Sequence, residues 1–281
     1  MPELPEVETI RRELEKEIIG KKIKSVEILG ARSIRRHDNP KELVAQLQEK
    51  KITQIRRIGK YLLFDLVGND ILVVHLGMSG QLLRAKGTKE PIPEHTHVII
   101  TLSQGGQLRF IDPRTFGEMF VTRPAEGNAR MIPAELLHLG FDPLANQISW
   151  MQFAAMLSQR NTQLKPLLMD QEFVAGIGNI YSDEILFAAG LRYDRKCNTL
   201  SSQEARRLHR SMIELLNEAV QLRGSSLADE AYKDIYGESG DFQGQHRGYD
   251  REGLPCPRCK RNIKRVKVSG RSTFFCEHCQ L

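Results

Sequence analysis

Four cysteines near the C-terminus constrain this chain most: Cys256, Cys259, Cys276 and Cys279, spaced C-x2-C-x16-C-x2-C. Two thiols separated by two residues form a tight knuckle, and two such knuckles converge four soft ligands on a tetrahedral centre. Four thiolates leave no open coordination position, so the spacing fits one structural zinc ion rather than a catalytic one. The segment between the pairs must then fold back on itself. It offers two β-rich runs, 263–268 and 271–275, divided by Ser269-Gly270, a hairpin-turn signal. Cys197 has no partner and reads as a core or surface thiol. His278 lies inside a knuckle, where four sulfurs leave it no role as a ligand.

At 281 residues the chain exceeds one typical domain, which points to two, each able to bury a core. Lys and Arg number 41 against 35 Asp and Glu, a net charge of +6 that favours a polyanionic partner such as nucleic acid. Much of this excess sits beside the cysteines, in Arg258, Lys260, Arg261, Lys264, Arg265, Lys267 and Arg271. No apolar stretch of about 18 residues is present, so no membrane span is expected. No basic start leads into an apolar run, so no secretory signal is expected either. The expected compartment is the cytosol, where disulfides are rare and the cysteines call for a metal.

Residues 22–123 read as strands with short connections, at 22–29, 51–57, 61–67, 71–76, 80–85, 96–103, 107–112 and 117–123. A helix at 41–49 interrupts them behind Asn39-Pro40. Together with the N-terminal helix this predicts a β-sandwich with flanking helices in the first half. After residue 131 helical periodicity dominates, at 149–159, 163–170, 179–189 and 202–222. Residues 225–250 are rich in Gly, Ser, Asp and Tyr with little apolar periodicity, and read as a mobile loop.

The chain begins Met-Pro-Glu-Leu-Pro-Glu-Val-Glu. Removal of Met1 would expose Pro2 as a secondary amine, and free α-amino groups titrate near pH ~8, far below lysine. Such an amine can attack a carbonyl-like carbon and form a Schiff base. On local evidence an acidic helix start explains Glu3, Glu6 and Glu8 equally well, since carboxylates suit the positive end of a helix dipole. In His75-Leu76-Gly77-Met78-Ser79-Gly80 a large apolar side chain stands on a glycine turn, and Asp112-Pro113-Arg114-Thr115-Phe116-Gly117 sets a cation near an aromatic. Met78 and Phe116 are either folded-back core residues or wedges of the kind that enter base stacks. Gly176-Ile177-Gly178-Asn179 is either a plain interhelical turn or an anion site at a helix start. Lys60 and Arg271 each read locally as solvated cations, with phosphate binding open to Arg271.

Taken together, these segments closely resemble the bacterial formamidopyrimidine-DNA glycosylase family. PELPEVE, GKYLLF, HLGMSG, DPRTFG, LKPLLMDQEFVAGIGNIYSDE and the cysteine module occur in family order over almost the whole chain. The resemblance implies an α+β chain with an N-terminal β-sandwich, a helix–two-turn–helix domain and a C-terminal β-hairpin zinc finger. The implied boundaries are 1–131 for the catalytic domain, 132–148 for a linker, 149–224 for the helical DNA-binding domain, 225–244 for a lesion-capping loop and 245–281 for the finger. It implies base excision of oxidised purines such as 8-oxoguanine from damaged double-stranded DNA, then cleavage of the abasic strand by β,δ-elimination, by a monomer in the bacterial cytosol.

By the same resemblance, Pro2 would attack C1′ of the damaged nucleotide and Glu3 would be the general acid. Lys60 would serve DNA contact and lyase chemistry, and Arg271 would hold phosphate and support the second elimination. His95, Arg114, Arg160 and Asn179 match DNA-contact positions. Met78, Arg114 and Phe116 would fill the gap left by a flipped nucleotide. Two departures stand out: Thr115 replaces an arginine common in the family, and the loop at 225–240 lacks a basic residue near Ala228. Two other readings remain open at this point. One is an enzyme resembling endonuclease eight, for oxidised pyrimidines, although that branch lacks the Leu4 context and the Met/Arg/Phe filler set. The other is a non-catalytic zinc-finger DNA-binding protein, which would need no free amine.

Overall fold

Proline in a first helical turn costs no hydrogen bond, and Pro5 opens helix α1 (Leu4–Ile18) in this way. Glu6 reaches back to accept the Glu3 N–H at 2.7 Å, answering a donor that a helix start leaves open. Val7, Ile10, Leu14 and Ile18 fall on one face and are fully buried. The computed structural model describes residues 1–227 and 232–281. They form two compact units, Met1–His138 with Arg223–Asp241, and Leu139–Leu222 with Phe242–Leu281.

In the first unit the alternating segments become strands β1 (Ile23–Ile28), β2 (Ile52–Ile58), β3 (Tyr61–Leu66), β4 (Ile71–His75), β5 (Gln81–Ala85), β6 (Thr96–Leu102), β7 (Gln107–Ile111) and β8 (Glu118–Thr122). Helix α2 (Pro40–Leu47) lies between β1 and β2 in sequence, capped by Asn39, whose side chain accepts the Glu42 N–H. The strands form two antiparallel sheets, in the orders β1-β6-β7-β5 and β2-β3-β4-β8. Side chains two residues apart share a sheet face. Accordingly Leu62, Phe64 and Leu66, with Leu72 and Val74, enter one core with Val98, Ile100, Leu102, Leu108 and Phe110. The apolar face of α1 closes the same core.

The second unit contains α3 (Trp150–Ser158), α4 (Leu164–Met169), α5 (Asn179–Ala189), α6 (Ser202–Gln221) and the hairpin β9 (Lys264–Val268)–β10 (Arg271–Phe275). Ser149 and Ser201 each cap a helix and receive a glutamine or glutamate three residues on, the reciprocal pattern that marks a helix start. Gly190 ends α5 in the left-handed conformation. No helix among the described residues is long and apolar enough to cross a membrane.

The loop expected to be mobile over 225–250 is instead tied down along most of its described length. Ser225 N–H donates to Glu6 at 2.7 Å, and Asp234 accepts the N–H groups of Tyr236 and Glu238, both at 2.9 Å. Farther on, the N–H groups of Arg247, Gly248 and Tyr249 all converge on Glu184. Buried carboxylates supply the order that apolar periodicity did not signal. Ala228 and Asp229 of the expected lesion-capping loop lie outside the described residues.

A buried charge cluster joins α1 to β2. Glu8 accepts from Arg57 at 3.0 Å, from Arg12 at 2.8 Å and from Arg11 at 3.1 Å. Burial works to raise the Glu8 carboxyl, but the hydrogen bonds and charges of Arg11, Arg57 and Arg12 outweigh it and hold it at about 2, against an ordinary 4.5. The unfolded chain therefore takes up this proton at higher pH than the folded one. The stabilisation is complete above pH 4.5 and is lost as pH falls towards about 2. Glu8→Gln should cost on the order of 3 kcal/mol at neutral pH by leaving the Arg57 charge buried with a weaker partner. It should also flatten the acid limb of stability across that window. Urea midpoints measured through the window would show this, and an unchanged acid limb would contradict the assignment.

Candidate active site and metal centre

Pro2 and Glu3 lie at the entry to α1, and both are buried. Met1 precedes them and is 37% exposed. While Met1 is attached, the Pro2 nitrogen is an amide that stands in place of the amine that processing would free. Lys60 follows Gly59 at the turn between β2 and β3 and is 9% exposed. Arg57 spans from Glu8 to this turn, donating to the Gly59 carbonyl at 2.9 Å. Helix α1 thus fixes the backbone beside Lys60 through one guanidinium. His75 stacks on Tyr61 with ring centroids 4.5 Å apart. Burial and then the Lys60 charge hold its pKa down at about 4, so the ring is neutral at physiological pH.

Both sequence-predicted wedges stand on the surface. Met78 is 39% exposed and Phe116 47%, which removes the folded-back core reading for each. Arg114 is exposed, and its guanidinium lies 5.2 Å from the centre of the Phe116 ring. Thr115 between them has φ +55°, an uncommon angle for a β-branched residue. Ser79 and Asp112, not singled out from sequence as side chains, join the two loops by a 2.6 Å hydrogen bond. An aspartate opening a turn is a recognisable Asx signal, but its partner 33 residues earlier is not. His95 is exposed with φ +61°, and its ring nitrogen is 3.7 Å from Glu94.

In the second unit Asn179 begins α5. Gln171 supports the glycine turn before it, accepting the Gly176 N–H at 2.9 Å and donating to the Ile177 carbonyl at 2.8 Å. Gly176 has φ +106°, a conformation that needs glycine. The Asn179 side-chain oxygen is buried without a hydrogen-bond partner among the described residues. Arg160 is exposed beside the Phe173 ring, 6.0 Å from its centre. Arg271 is exposed at the start of β10 and lines a cavity of about 260 Å³ with Lys165, Met169 and Val268. Lys165 was not picked out from sequence. It is buried, pairs with Asp183 at 2.7 Å and donates to the Ser272 carbonyl at 3.2 Å. Asp183 also accepts the Phe274 N–H at 3.0 Å, so the hairpin that carries Arg271 is fixed to α4 and α5.

The four expected ligands converge. Their Sγ atoms all lie within 4.8 Å of one another, with Cys259–Cys276 at 3.4 Å and Cys256–Cys279 at 3.9 Å. A zinc ion bound tetrahedrally at ~2.3 Å from each sulfur sets the sulfurs ~3.8 Å apart, so the donor set fits the ion. None of the four forms a disulfide. Phe187, Ile263 and Phe274 pack against Cys256 and Cys276, which makes the metal knot part of a small core. Cys197 is buried, and burial pushes its thiol up to about 11, as suits a core residue. Cys256→Ser should lower zinc from about one equivalent per chain and loosen the hairpin, because metal binding and folding are linked. Metal analysis after dialysis would test this, and full occupancy in the variant would refute the four-cysteine centre.

Comparison with known proteins covers the whole chain. Residues 1–119 match the formamidopyrimidine-DNA glycosylase N-terminal domain, 139–231 match the H2TH domain of the same enzyme, and 253–281 match a zinc finger found in FPG and IleRS. The formamidopyrimidine-DNA glycosylase of Thermus thermophilus is 44% identical over 280 residues, covering 100% of this chain and 98% of that protein. The Lactococcus lactis Fpg solved with DNA containing an abasic site is 34% identical, with a TM-score of 0.87 and 99% of each chain covered. The wild-type Lactococcus lactis Fpg solved with DNA containing N7-benzyl-Fapy-dG is 35% identical, again with a TM-score of 0.87 and 99% coverage of both chains.

Proposed function

The chain belongs to the formamidopyrimidine-DNA glycosylase family, and we propose that its chemistry runs through Pro2 once Met1 is removed. It is a base-excision repair enzyme, a glycosylase and abasic-site lyase for oxidised purines in damaged double-stranded DNA, with one structural zinc ion. The observation that carries the mechanistic reading is the sequence Pro2-Glu3 at a buried helix entry in a chain of this family.

In this reading the Pro2 nitrogen bonds to C1′ as the bond from C1′ to the base breaks. Glu3 gives a proton to the sugar ring oxygen as the ring opens, leaving an iminium ion. The iminium acidifies C2′, and loss of a C2′ proton to solvent gives an enamine that expels the 3′ phosphate. Loss of a C4′ proton from the resulting conjugated iminium then expels the 5′ phosphate, after which water releases the amine from the sugar fragment. Lys60 and Arg271 supply cations to the phosphates, a role suited to charge-assisted hydrogen bonds. Asn179, His95 and Arg160 add backbone contacts. The zinc ion holds the finger and takes no part in bond making. We take the enzyme to work as a monomer in the bacterial cytosol, associated with the nucleoid through its substrate.

Borohydride should trap the protein on duplex containing 8-oxoguanine opposite cytosine, because reduction fixes an imine. Peptide mapping should put the adduct on the N-terminal residue, and an adduct on Lys60 would sink the assignment to Pro2. Glu3→Gln should retain lesion binding while losing roughly 100-fold or more in excision, the contribution expected of a general acid.

Met78 and Phe116 offset lost stacking as apolar wedges, whatever base is orphaned. Arg114 instead offers fixed donors to the acceptors on the pairing edge of cytosine. Arg114→Ala should therefore slow excision opposite cytosine and shrink the preference over adenine, whereas Met78→Ala should slow both. Single-turnover rates on the two duplexes decide this. Equal slowing by Arg114→Ala would assign it to general support rather than opposite-base reading.

A further inference from the structure

The loop that carries Met78 and the loop that carries Arg114 and Phe116 share one buried carboxylate. Asp112 exposes none of its surface. Its Oδ1 accepts the Ser79 hydroxyl at 2.6 Å and the Arg114 N–H at 3.2 Å, while its Oδ2 accepts the Gly117 N–H at 2.7 Å. One side chain therefore holds the backbone on both sides of Phe116 and also holds the neighbouring loop.

Glycines let the loops touch. A Cβ at Gly77 would collide with the backbone of Phe116 and Gly117, and one at Gly117 would come within 2.6 Å of the Phe110 ring. On the same strand entry, Arg35 donates to the carbonyls of Gly117 at 2.8 Å and Phe116 at 3.3 Å. Thr115 keeps φ +55° between these fixed points, a conformation that a β-branched residue holds only where its surroundings impose it. The backbone of both loops is thus fastened, while the three side chains at its tip stay exposed.

We propose that Asp112, bridged by Ser79, is a positioning residue that makes the two loops enter the duplex as one preformed wedge. The inference rests on the glycosylase reading above. Extrusion of a nucleotide is offset by filler side chains only if they arrive ordered. Loops that had to be ordered at insertion would consume the gain in lost conformational entropy. A carboxylate suits this task because it accepts several hydrogen bonds without offering a donor that would compete for them.

Asp112→Asn keeps the size of the side chain but turns one oxygen into a donor, which then faces an N–H or a hydroxyl. Ser79→Ala removes the bridge and leaves the turn at Asp112 intact. The assays are single-turnover excision of 8-oxoguanine opposite cytosine and borohydride trapping on a single-stranded oligonucleotide with a preformed abasic site, where no base leaves a duplex. Asp112→Asn should slow duplex excision by roughly 10-fold or more and Ser79→Ala by about 3-fold, the range expected for lost hydrogen bonds to a charged group. Trapping on the single strand should stay close to the wild-type level in both.

In a background carrying Met78→Ala, Arg114→Ala and Phe116→Ala, Asp112→Asn should add less than about 2-fold, because its effect passes through side chains already gone. A full further loss in that background, or a matching loss of single-strand trapping, would overturn the proposal and leave Asp112 a residue of the fold. A wild-type duplex rate for Ser79→Ala would overturn the bridge even if Asp112→Asn did not fold. Failure of the wild-type protein to be trapped on any abasic substrate is a different result, and would overturn the glycosylase reading itself.

Discussion

A backbone outside helices and sheets still carries one N–H donor per residue, and away from water each donor needs an acceptor. Carboxylates meet this need again and again in this chain. Glu6 takes the N–H groups of Glu3 and Ser225, Asp142 those of Leu144 and Ala145, and Asp234 those of Tyr236 and Glu238. Glu184 takes three successive amides, from Arg247 to Tyr249. Each carboxylate presents about four lone-pair sites, so one can order a whole turn. A hydrogen bond to a charged group contributes about 1.5–3 kcal/mol, enough to set against the cost of burying the charge.

This device separates the glutamates of the N-terminal segment, which share one explanation when viewed only as the start of an acidic helix. Glu6 serves both the helix entry and the segment beginning at Arg223. Gly224, at φ +75°, lies so close to Glu6 that a Cβ there would collide with its carboxylate. Glu8 faces Arg57 and, through it, orders the Gly59 turn that precedes Lys60. Glu3, next to Pro2, is the one proposed for a chemical role. The helix dipole favours all three, but partners rather than the dipole decide what each does.

The strands, the long helices and the cysteine centre were legible because their signals are local. Alternation reports a buried sheet face, Ser149 and Ser201 announce helix starts, and the cysteine spacing encodes a metal knot. The exposure of Met78 and Phe116 was legible only in part, since a turn beside glycine is compatible with a folded-back core position as well as with an exposed one, and the structure decides between them. What could not be read were pairings between distant positions. Ser79 with Asp112, Glu6 with Ser225, and Glu184 with Tyr249 leave no period in the sequence. Residues 232–250 lack apolar periodicity and so resemble a loose loop, although acceptors elsewhere hold them. Lys165 hides for the same reason, as its partner Asp183 is a full helix away.

The neutral His75 adds a constraint on how the first unit can respond to pH. A protonated imidazole there would set a second cation against Lys60 inside buried structure. Burial first, and then the Lys60 charge, keep the ring deprotonated until about pH 4, with Glu118 pulling the other way. Lys60 therefore keeps a neutral neighbour across the physiological range. Glu8 likewise completes its ionisation well below neutrality. Neither of these buried groups changes charge near pH 7. The amine proposed at Pro2 belongs to a class that titrates near pH ~8, whereas in the second unit burial raises the Asp183 carboxyl to about 7 against the pull of Lys165, so that buried pair also lies in reach of neutrality.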